Sequence, residues 1–208
     1  MVLAIGLFLL TLFIFVTITD EIVLEHENGF DTFVAHAILS LDSPSLTKIL
    51  IAVTFFGSSS FLFPAYAVLI LFYLFRKKWK SALDVATIGI TSTALLFLLK
   101  DIFKRQRPLD PLINNVTGFS YPSGHSFSSY TFWGLIVYLL WQSKIGHRWK
   151  IAATILLFLF ATTIAFSRVY LRVHYPSDVV AGFCLSMIWL IIAQWLLHKA
   201  DKKIIKNN

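Results

Sequence analysis

The chain has 208 residues, of which 57% are hydrophobic and 14% charged, and its formal net charge is +7 at pH 7. Because an ordinary soluble domain carries roughly 25% charged residues, this composition excludes a soluble globular class and indicates a membrane protein. We therefore expect its basic residues to set topology and contact lipid headgroups, with the lipid bilayer and not nucleic acid as the partner.

Six apolar segments are long enough, or nearly so, to cross a bilayer core, which needs about 20 residues per helix. They cover residues 2–19, 49–75, 81–99, 126–142, 151–166 and 179–197. We predict an all-α fold with six transmembrane helices in a single integral-membrane domain, residues 1–208. The first segment lacks both the basic start and the cleavage pattern of a signal peptide, which favours a retained helix.

The first outer loop begins with the acidic residues 20–30 and then carries apolar residues at helical spacing. These are Phe30, Phe33, Val34, Ala37, Ile38 and Leu41. The pattern predicts a short amphipathic interfacial helix at the membrane surface. It could shape an entrance for lipid, or it could cap the ends of the membrane helices.

The second apolar segment, residues 49–75, is longer than a span requires. It is interrupted by the sequence GSSS (57–60) and by Pro64. Both features predict tilt or a kink in this segment.

Basic clusters follow the second, fourth and sixth apolar segments: RKKWK (76–80), KIGHRWK (144–150) and HKADKKIIK (198–206). With six crossings all three lie on one face of the membrane. The positive-inside rule makes that face cytoplasmic, together with both termini.

The remaining Lys and Arg residues lie on the opposite, outward face. They are Lys48, Lys100, Lys104, Arg105, Arg107, Arg168 and Arg172. All but Lys48 belong to the loops after the third and fifth spans, where His125 and His174 also occur. One cation there could simply extend its charged end toward the headgroups, but six in two loops predict an anionic ligand.

In the first of these loops, Lys100 and Arg107 are seven residues apart, so they share a face if the helix continues that far. Pro108 is expected to end this helix, because the residue before a proline disfavours helical geometry. Both side chains are therefore candidates to bind the anion.

The sequence YPSGH (121–125) has the features of a helix start. Ser123 is a candidate N-cap, and Gly124 lets the backbone approach a ligand closely. Free amides at a helix N-terminus bind phosphate oxygens, and His125 would lie beside them in the first turn.

The second outward loop brings a histidine and an acid to the start of the sixth helix. Arg168 is expected to end the fifth helix, and Pro176 places His174 just before the sixth. Asp178 then falls in the first turn, where its carboxylate can accept a hydrogen bond from imidazole. Such a carboxylate orients a catalytic histidine, so His174 is the candidate nucleophile and His125 the candidate general acid.

Two histidines beside an acid could instead bind a metal ion. The Lys and Arg residues of these loops repel a cation and favour an anion, and a guanidinium is well shaped for phosphate. We therefore expect a phosphate site with no metal and no cofactor.

The order and spacing of these residues resemble the three motifs of the type 2 phosphatidic acid phosphatase superfamily, and within it the small bacterial membrane lipid phosphatases. The motifs are K-x6-RP (Lys100, Arg107, Pro108), PSGH (122–125) and SR-x5-H-x3-D (Ser167, Arg168, His174, Asp178). The resemblance covers residues 100–178 in motif and the whole chain in architecture.

The resemblance implies metal-independent hydrolysis through a phosphohistidine. Lys100, Arg107 and Arg168 would hold the phosphoryl oxygens, together with the amides of Ser123 and Gly124. His174, oriented by Asp178, would attack phosphorus, and His125 would protonate the leaving oxygen. For the three other outward cations, Lys104, Arg105 and Arg172, ordinary surface charge is the preferred interpretation.

The implied enzyme is a phosphoric monoester hydrolase of phospholipid biosynthesis in a bacterial plasma membrane, with its active site on the extracytoplasmic side and no obligatory protein partner. Phosphatidylglycerol phosphate is the first expected substrate; undecaprenyl diphosphate and phosphatidic acid are the alternatives. A lipid or ion transporter is disfavoured because ionisable residues are scarce within the spans, Asp84 excepted. A non-catalytic lipid-binding protein is disfavoured by the intact histidines and Asp178.

Overall fold

A computed structural model of the protein describes residues 2–24, 29–114 and 116–207. Part of the acidic segment, residues 25–28, lies outside the described residues, and so do the side chains of residues 200–207 in the last basic cluster. What the sequence predicts for those positions stays a prediction.

Eight α-helices follow one another within the described ranges. They are α1 (Val2–Ile18), α2 (Gly29–Leu39), α3 (Pro44–Thr54), α4 (Ser59–Phe75), α5 (Trp79–Phe103), α6 (Gly124–Gln142), α7 (His147–Tyr170) and α8 (Pro176–Asn207). A π-helical turn, Thr19–Leu24, extends α1, and a 3-10 turn, Phe55–Gly57, joins α3 to α4. The predicted all-α fold is confirmed for this part of the chain.

Four helical segments of the described chain are long and apolar enough to cross a membrane: Ala4–Ile22, Trp79–Phe103, His147–Tyr170 and Pro176–Lys199. The pair formed by Pro44–Gly57 and Ser59–Phe75 adds a fifth if it is counted as one bent span. Helix α6 is continuous, but its apolar sequence contains Ser, Thr and Gly residues, and it is not among these segments. The predicted count of six is therefore not confirmed and stays a prediction that depends on α6.

The predicted kink lies between α3 and α4, which meet at an angle of 43°. A Cβ atom on Gly57 would lie 2.5 Å from Cγ2 of Ile164 and 2.6 Å from Oγ of Ser129. Only glycine lets the bent backbone approach α6 and α7 this closely. Pro64 lies inside α4 and does not interrupt it.

Helix α6 packs against both α7 and α8, while α1 packs on α8 and α4 on α5. At Gly182 of α8 an added Cβ would lie 2.9 Å from the main-chain oxygen of Ser123. The close approach lets the Ser123 amide donate to the main-chain oxygen of Asp178 at 3.0 Å, and the Ser126 hydroxyl donate to that of Val179 at 2.8 Å. These contacts hold the first turns of α6 and α8 side by side.

The helix predicted in the first outer loop is present as α2, which contacts α7 and α8. Its Asp31 is buried, whereas the side chain of Phe33 is 77% exposed. At these two positions α2 departs from the predicted pattern, because a carboxylate is buried against the protein and an aromatic side chain is exposed. Its location at the membrane surface stays a prediction.

Candidate active site

A cavity of about 640 Å³ lies among α3, α5, α6 and α7 and the loop that precedes α8. Six of the predicted site residues line it: Lys100, Arg107, Gly124, His125, Arg168 and His174. The other two, Ser123 and Asp178, are fully buried behind its wall. The fold therefore brings Lys100, Arg107 and Arg168 to one place with both histidines.

His174 is buried and has a different partner on each ring nitrogen. Its Nε2 lies 3.1 Å from Nη1 of Arg107, and its Nδ1 lies 3.3 Å from Oδ2 of Asp178. A guanidinium only donates hydrogen bonds, so Nε2 is the acceptor and the ring proton belongs on Nδ1, where it faces Asp178. This tautomer keeps a lone pair on the nitrogen that faces the cavity.

The carboxylate of Asp178 is held on both oxygens. Its Oδ2 accepts from the hydroxyl of Ser120 at 2.5 Å and from the amide of Tyr175 at 2.9 Å, in addition to His174. Its Oδ1 accepts from Nη1 of Arg105 at 2.7 Å. A buried carboxylate with this many donors is ionised and fixed in orientation.

Arg107 is fixed by main-chain oxygens of the loops that precede α6 and α8. Its Nε donates to Gly118 at 2.9 Å, its Nη2 to Thr117 at 3.1 Å and its Nη1 to Val173 at 2.7 Å. The guanidinium is therefore pre-oriented toward His174 before any ligand binds.

The other two cations of the cavity come from the ends of membrane helices. Nζ of Lys100 donates to the main-chain oxygen of Phe119 at 2.5 Å, and Nη1 of Arg168 donates to the hydroxyl of Thr54 at 2.8 Å. Within the described residues, Nε of Arg168 is buried without a hydrogen-bond partner. A phosphate oxygen in the cavity would supply that missing acceptor.

The start of α6 matches the sequence prediction in part. Ser123 is its N-cap, and its hydroxyl accepts from the Ser126 amide. The Ser123 amide, however, is bound to Asp178 and does not face the cavity as a free donor. The amide is therefore already engaged in this structure, and Gly124 and His125 provide the first-turn amides beside the cavity; the phosphate-binding role of Ser123 stays a prediction.

Two further expectations are corrected. Helix α5 ends at Phe103, not at Pro108, because Lys104 adopts a left-handed backbone conformation with φ of 47°. Arg105 is not surface charge: its side chain is only 11% exposed and bridges Asp178 to Asp31. Lys104 is exposed beside Asp101, and Arg172 is paired with Asp42.

No role in the site is predicted from the sequence for four residues that contact it or its partners: Ser120, Thr54, Arg105 and Asp31. Ser120 directly precedes the YPSGH sequence, and this position beside a motif is the one local indication that it belongs to the site. Thr54 and Asp31 contact their partners across 114 and 74 residues, and no local pattern marks them.

Burial and charge set the pKa values of the loop residues. Burial lowers the pKa of His174 to about 4, an effect that Asp178 opposes and that Arg107 and Lys100 reinforce. Burial also lowers the pKa of Arg107. For Arg105 the effect of burial is outweighed by Asp178 and Asp31, which raise its pKa. His174 is thus neutral, and both arginines are charged, near neutral pH.

Among the described residues, no three His, Cys, Asp or Glu side chains cluster in a way that could hold a metal ion. The groups closest to His174 are instead a carboxylate, a hydroxyl and a guanidinium.

Comparison with known proteins places the chain in a family. Residues 81–202 match the model of the PAP2 superfamily. The chain is 30% identical over 177 residues to phosphatidylglycerophosphatase B of Bacillus subtilis, covering 84% of each sequence. It is 29% identical over 186 residues to an undecaprenyl-diphosphatase of Sulfolobus acidocaldarius, covering 86% of this chain and 84% of the relative.

The fold is similar to a crystal structure of a transmembrane PAP2-type phosphatidylglycerolphosphate phosphatase from Bacillus subtilis, with a TM-score of 0.78, 29% identity and 98% of each chain covered. The matched family segment contains all three motifs and every cation that lines the cavity. The chain therefore belongs to the PAP2 superfamily, with the transmembrane fold of its lipid phosphatases.

Proposed function

We propose that the protein is a metal-independent phosphatase of membrane lipid phosphates, acting through a phosphohistidine on His174. The observation that carries the proposal is the arrangement of His174, whose Nδ1 faces the buried carboxylate of Asp178 while Nε2 faces a cavity lined by three cations. An imidazole held in this tautomer is a nucleophile, and the cations around it suit a phosphoryl group.

In the first step, Nε2 of His174 attacks phosphorus and forms a P–N bond while the bond to the lipid oxygen breaks. Lys100, Arg107 and Arg168 stabilise the charge on the phosphoryl oxygens, and Asp178 stabilises the imidazolium. His125, which lines the same cavity, gives a proton to the leaving oxygen.

In the second step, His125 takes a proton from water, the hydroxide attacks phosphorus, and the P–N bond breaks. Phosphate leaves and neutral His174 is restored. The same histidine thus acts first as acid and then as base, and the reaction consumes one water molecule without any co-reactant.

Phosphatidylglycerol phosphate is the proposed substrate and phosphatidylglycerol the product. Support comes from the relative and the solved structure named for this activity, each of which the chain matches over most of its length. Undecaprenyl diphosphate is the second candidate, because a relative of nearly equal coverage is named for it.

We further propose that α6 completes six crossings of a bacterial plasma membrane. Both termini are then cytoplasmic and the cavity opens on the extracytoplasmic side. The three basic clusters after the second, fourth and sixth segments support this orientation.

The test is phosphate release by purified protein from matched vesicles containing phosphatidylglycerol phosphate, phosphatidic acid or undecaprenyl diphosphate. We expect the highest kcat/KM with phosphatidylglycerol phosphate and no turnover by His174→Ala. A higher kcat/KM with undecaprenyl diphosphate would make the diphosphate the substrate in place of phosphatidylglycerol phosphate. Full activity of His174→Ala would rule out the phosphohistidine mechanism.

A further inference from the structure

Arg105 forms a buried bridge between helix α2 and the carboxylate behind His174. Its Nη1 donates to Oδ1 of Asp178 and its Nη2 donates to Oδ2 of Asp31, both at 2.7 Å. The guanidinium also lies 4.1 Å above the ring of Tyr175. Only 11% of the side chain is exposed, so the two carboxylates and the aromatic ring together fix the orientation of the guanidinium.

Asp31 is itself anchored to the start of α8. The amide of Ser177 donates to its Oδ1 at 2.8 Å and the hydroxyl of Ser177 to its Oδ2 at 2.7 Å. Nη1 of Arg105 in turn donates to that hydroxyl at 2.8 Å. Asp31, Ser177 and Arg105 therefore form a closed polar network around the first turn that carries Asp178.

Arg105 is absent from the cavity lining, so it has no direct contact with a phosphate bound there. Its side chain acts on the reaction through Asp178, while its main-chain oxygen accepts from the Ser120 amide at 2.8 Å, a bond that a side-chain substitution leaves in place. A buried carboxylate that loses its cationic partner is left with an uncompensated charge, and it relieves that charge by rotating or by taking up a proton. Rotation withdraws Oδ2 from Nδ1 of His174, and protonation removes the negative charge that stabilises the imidazolium.

We propose that Arg105, anchored by Asp31, is a positioning residue for the nucleophile: it fixes Asp178 so that Nδ1 of His174 keeps its proton and Nε2 faces the phosphate. The inference rests on the proposed role of His174. It gives helix α2 a part in catalysis, because the anchoring carboxylate belongs to that helix.

The experiment compares Arg105→Gln, Arg105→Lys and Asp31→Asn, assayed as full-length protein in detergent with phosphatidylglycerol phosphate. The matched control is Lys104→Gln, which removes a neighbouring charge from an exposed side chain. Circular dichroism and size-exclusion chromatography select the variants that remain folded. The double variant Asp31→Asn/Arg105→Gln completes a double-mutant cycle.

For Arg105→Gln we expect kcat to fall about 10- to 100-fold, as found for partners that orient a functional histidine, with KM within about twofold of the wild type. Arg105→Lys should recover part of the loss because it keeps the charge, and Asp31→Asn should lose less than Arg105→Gln. The two single effects should combine less than additively. Lys104→Gln should keep full activity.

The proposal is overturned if folded Arg105→Gln and Asp31→Asn both keep kcat within about twofold of the wild type, or if the loss lies in KM alone. Equal losses in Lys104→Gln would also overturn it, because a general effect of loop charge would then be responsible. His174→Ala distinguishes failure of the positioning role from failure of the proposed mechanism. If His174→Ala is inactive while Arg105→Gln is fully active, only the positioning role of Arg105 fails. If His174→Ala is active, the phosphohistidine mechanism fails as well.

Discussion

Nη1 of Arg107 donates a hydrogen bond to Nε2 of His174 across 3.1 Å. The donor marks the direction from which a phosphoryl group would approach, since the guanidinium that now donates to the lone pair can redirect its N–H to a phosphoryl oxygen. In the proposed mechanism Arg107 thus holds the neutral tautomer before substrate binds and stabilises the phosphoryl charge afterwards.

The carboxylate on the opposite side of the ring gives the first prediction. Asp178→Asn should reduce kcat severely, because an amide can present its N–H to Nδ1 and so favour the wrong tautomer; the equivalent change in a Ser-His-Asp triad costs about 10⁴-fold. Steady-state phosphate release measures it. Asp101→Asn, the same chemical change at a side chain that is 80% exposed, is the control and should be fully active. Activity of Asp178→Asn near the wild-type level would show that Asp178 does not orient His174.

The local part of this site follows from sequence. Asp178 follows His174 by four residues, and Pro176 between them starts α8, because proline has a strong preference for the first turn of a helix. Asp178 therefore lies in that first turn, within reach of His174. Ser123 was recognisable as an N-cap for the same reason: local backbone chemistry decides it. The apolar runs likewise predict the ends of α1, α5, α6 and α7 to within four residues, whereas α8 continues to Asn207, ten residues beyond its predicted end.

The remaining part depends on packing between distant segments. Arg105 lies five residues after Lys100, and nothing near it indicates that it turns inward to meet Asp31 and Asp178. Its direction is set by the left-handed residue Lys104, which ends α5 early and redirects the chain. The six-span count is not confirmed for a different reason: α6 carries Ser, Thr and Gly residues, several of them in the turns beside the cavity, and these lower its apolar content.

The pH dependence of kcat/KM gives the second prediction. Because the pKa of His174 is lowered to about 4, the neutral nucleophile persists in mildly acidic solution and activity falls only as the pH drops through about 4. A phosphate monoester has its own ionisation near pH ~6. Two substrates whose phosphate pKa values differ separate the two effects, since only the substrate-derived limb should move. A fixed acidic limb near the ordinary histidine pKa of about 6.5 would contradict the prediction, whereas a limb on the alkaline side belongs to the proton donor His125.

Insensitivity to chelators is the third prediction. Phosphate release should be unchanged in excess chelator, because in the proposed mechanism Lys100, Arg107 and Arg168, which line the cavity, stabilise the charge on the phosphoryl oxygens in place of a metal ion. A metal-dependent phosphatase assayed in the same buffer shows that the chelator is effective. Loss of activity that returns on adding back a divalent cation would establish a metal site and remove the proposed mechanism.

The fourth prediction concerns the proton donor. His125→Ala should lower kcat/KM about 10²- to 10⁴-fold for a lipid alcohol, which leaves as a poor alkoxide unless it is protonated. With an aryl phosphate of similar apolar character the loss should be much smaller, because a phenolate of low pKa leaves without a proton. The ratio kcat/KM reports the first step, so the second role of His125 in activating water does not obscure the comparison. Ser128→Ala, at another position lining the cavity, is the matched control, and it should lower kcat/KM only slightly and by the same factor for both substrates. Equal losses with the two leaving groups in His125→Ala would mean that His125 binds phosphate or maintains the cavity, and that another group protonates the leaving oxygen.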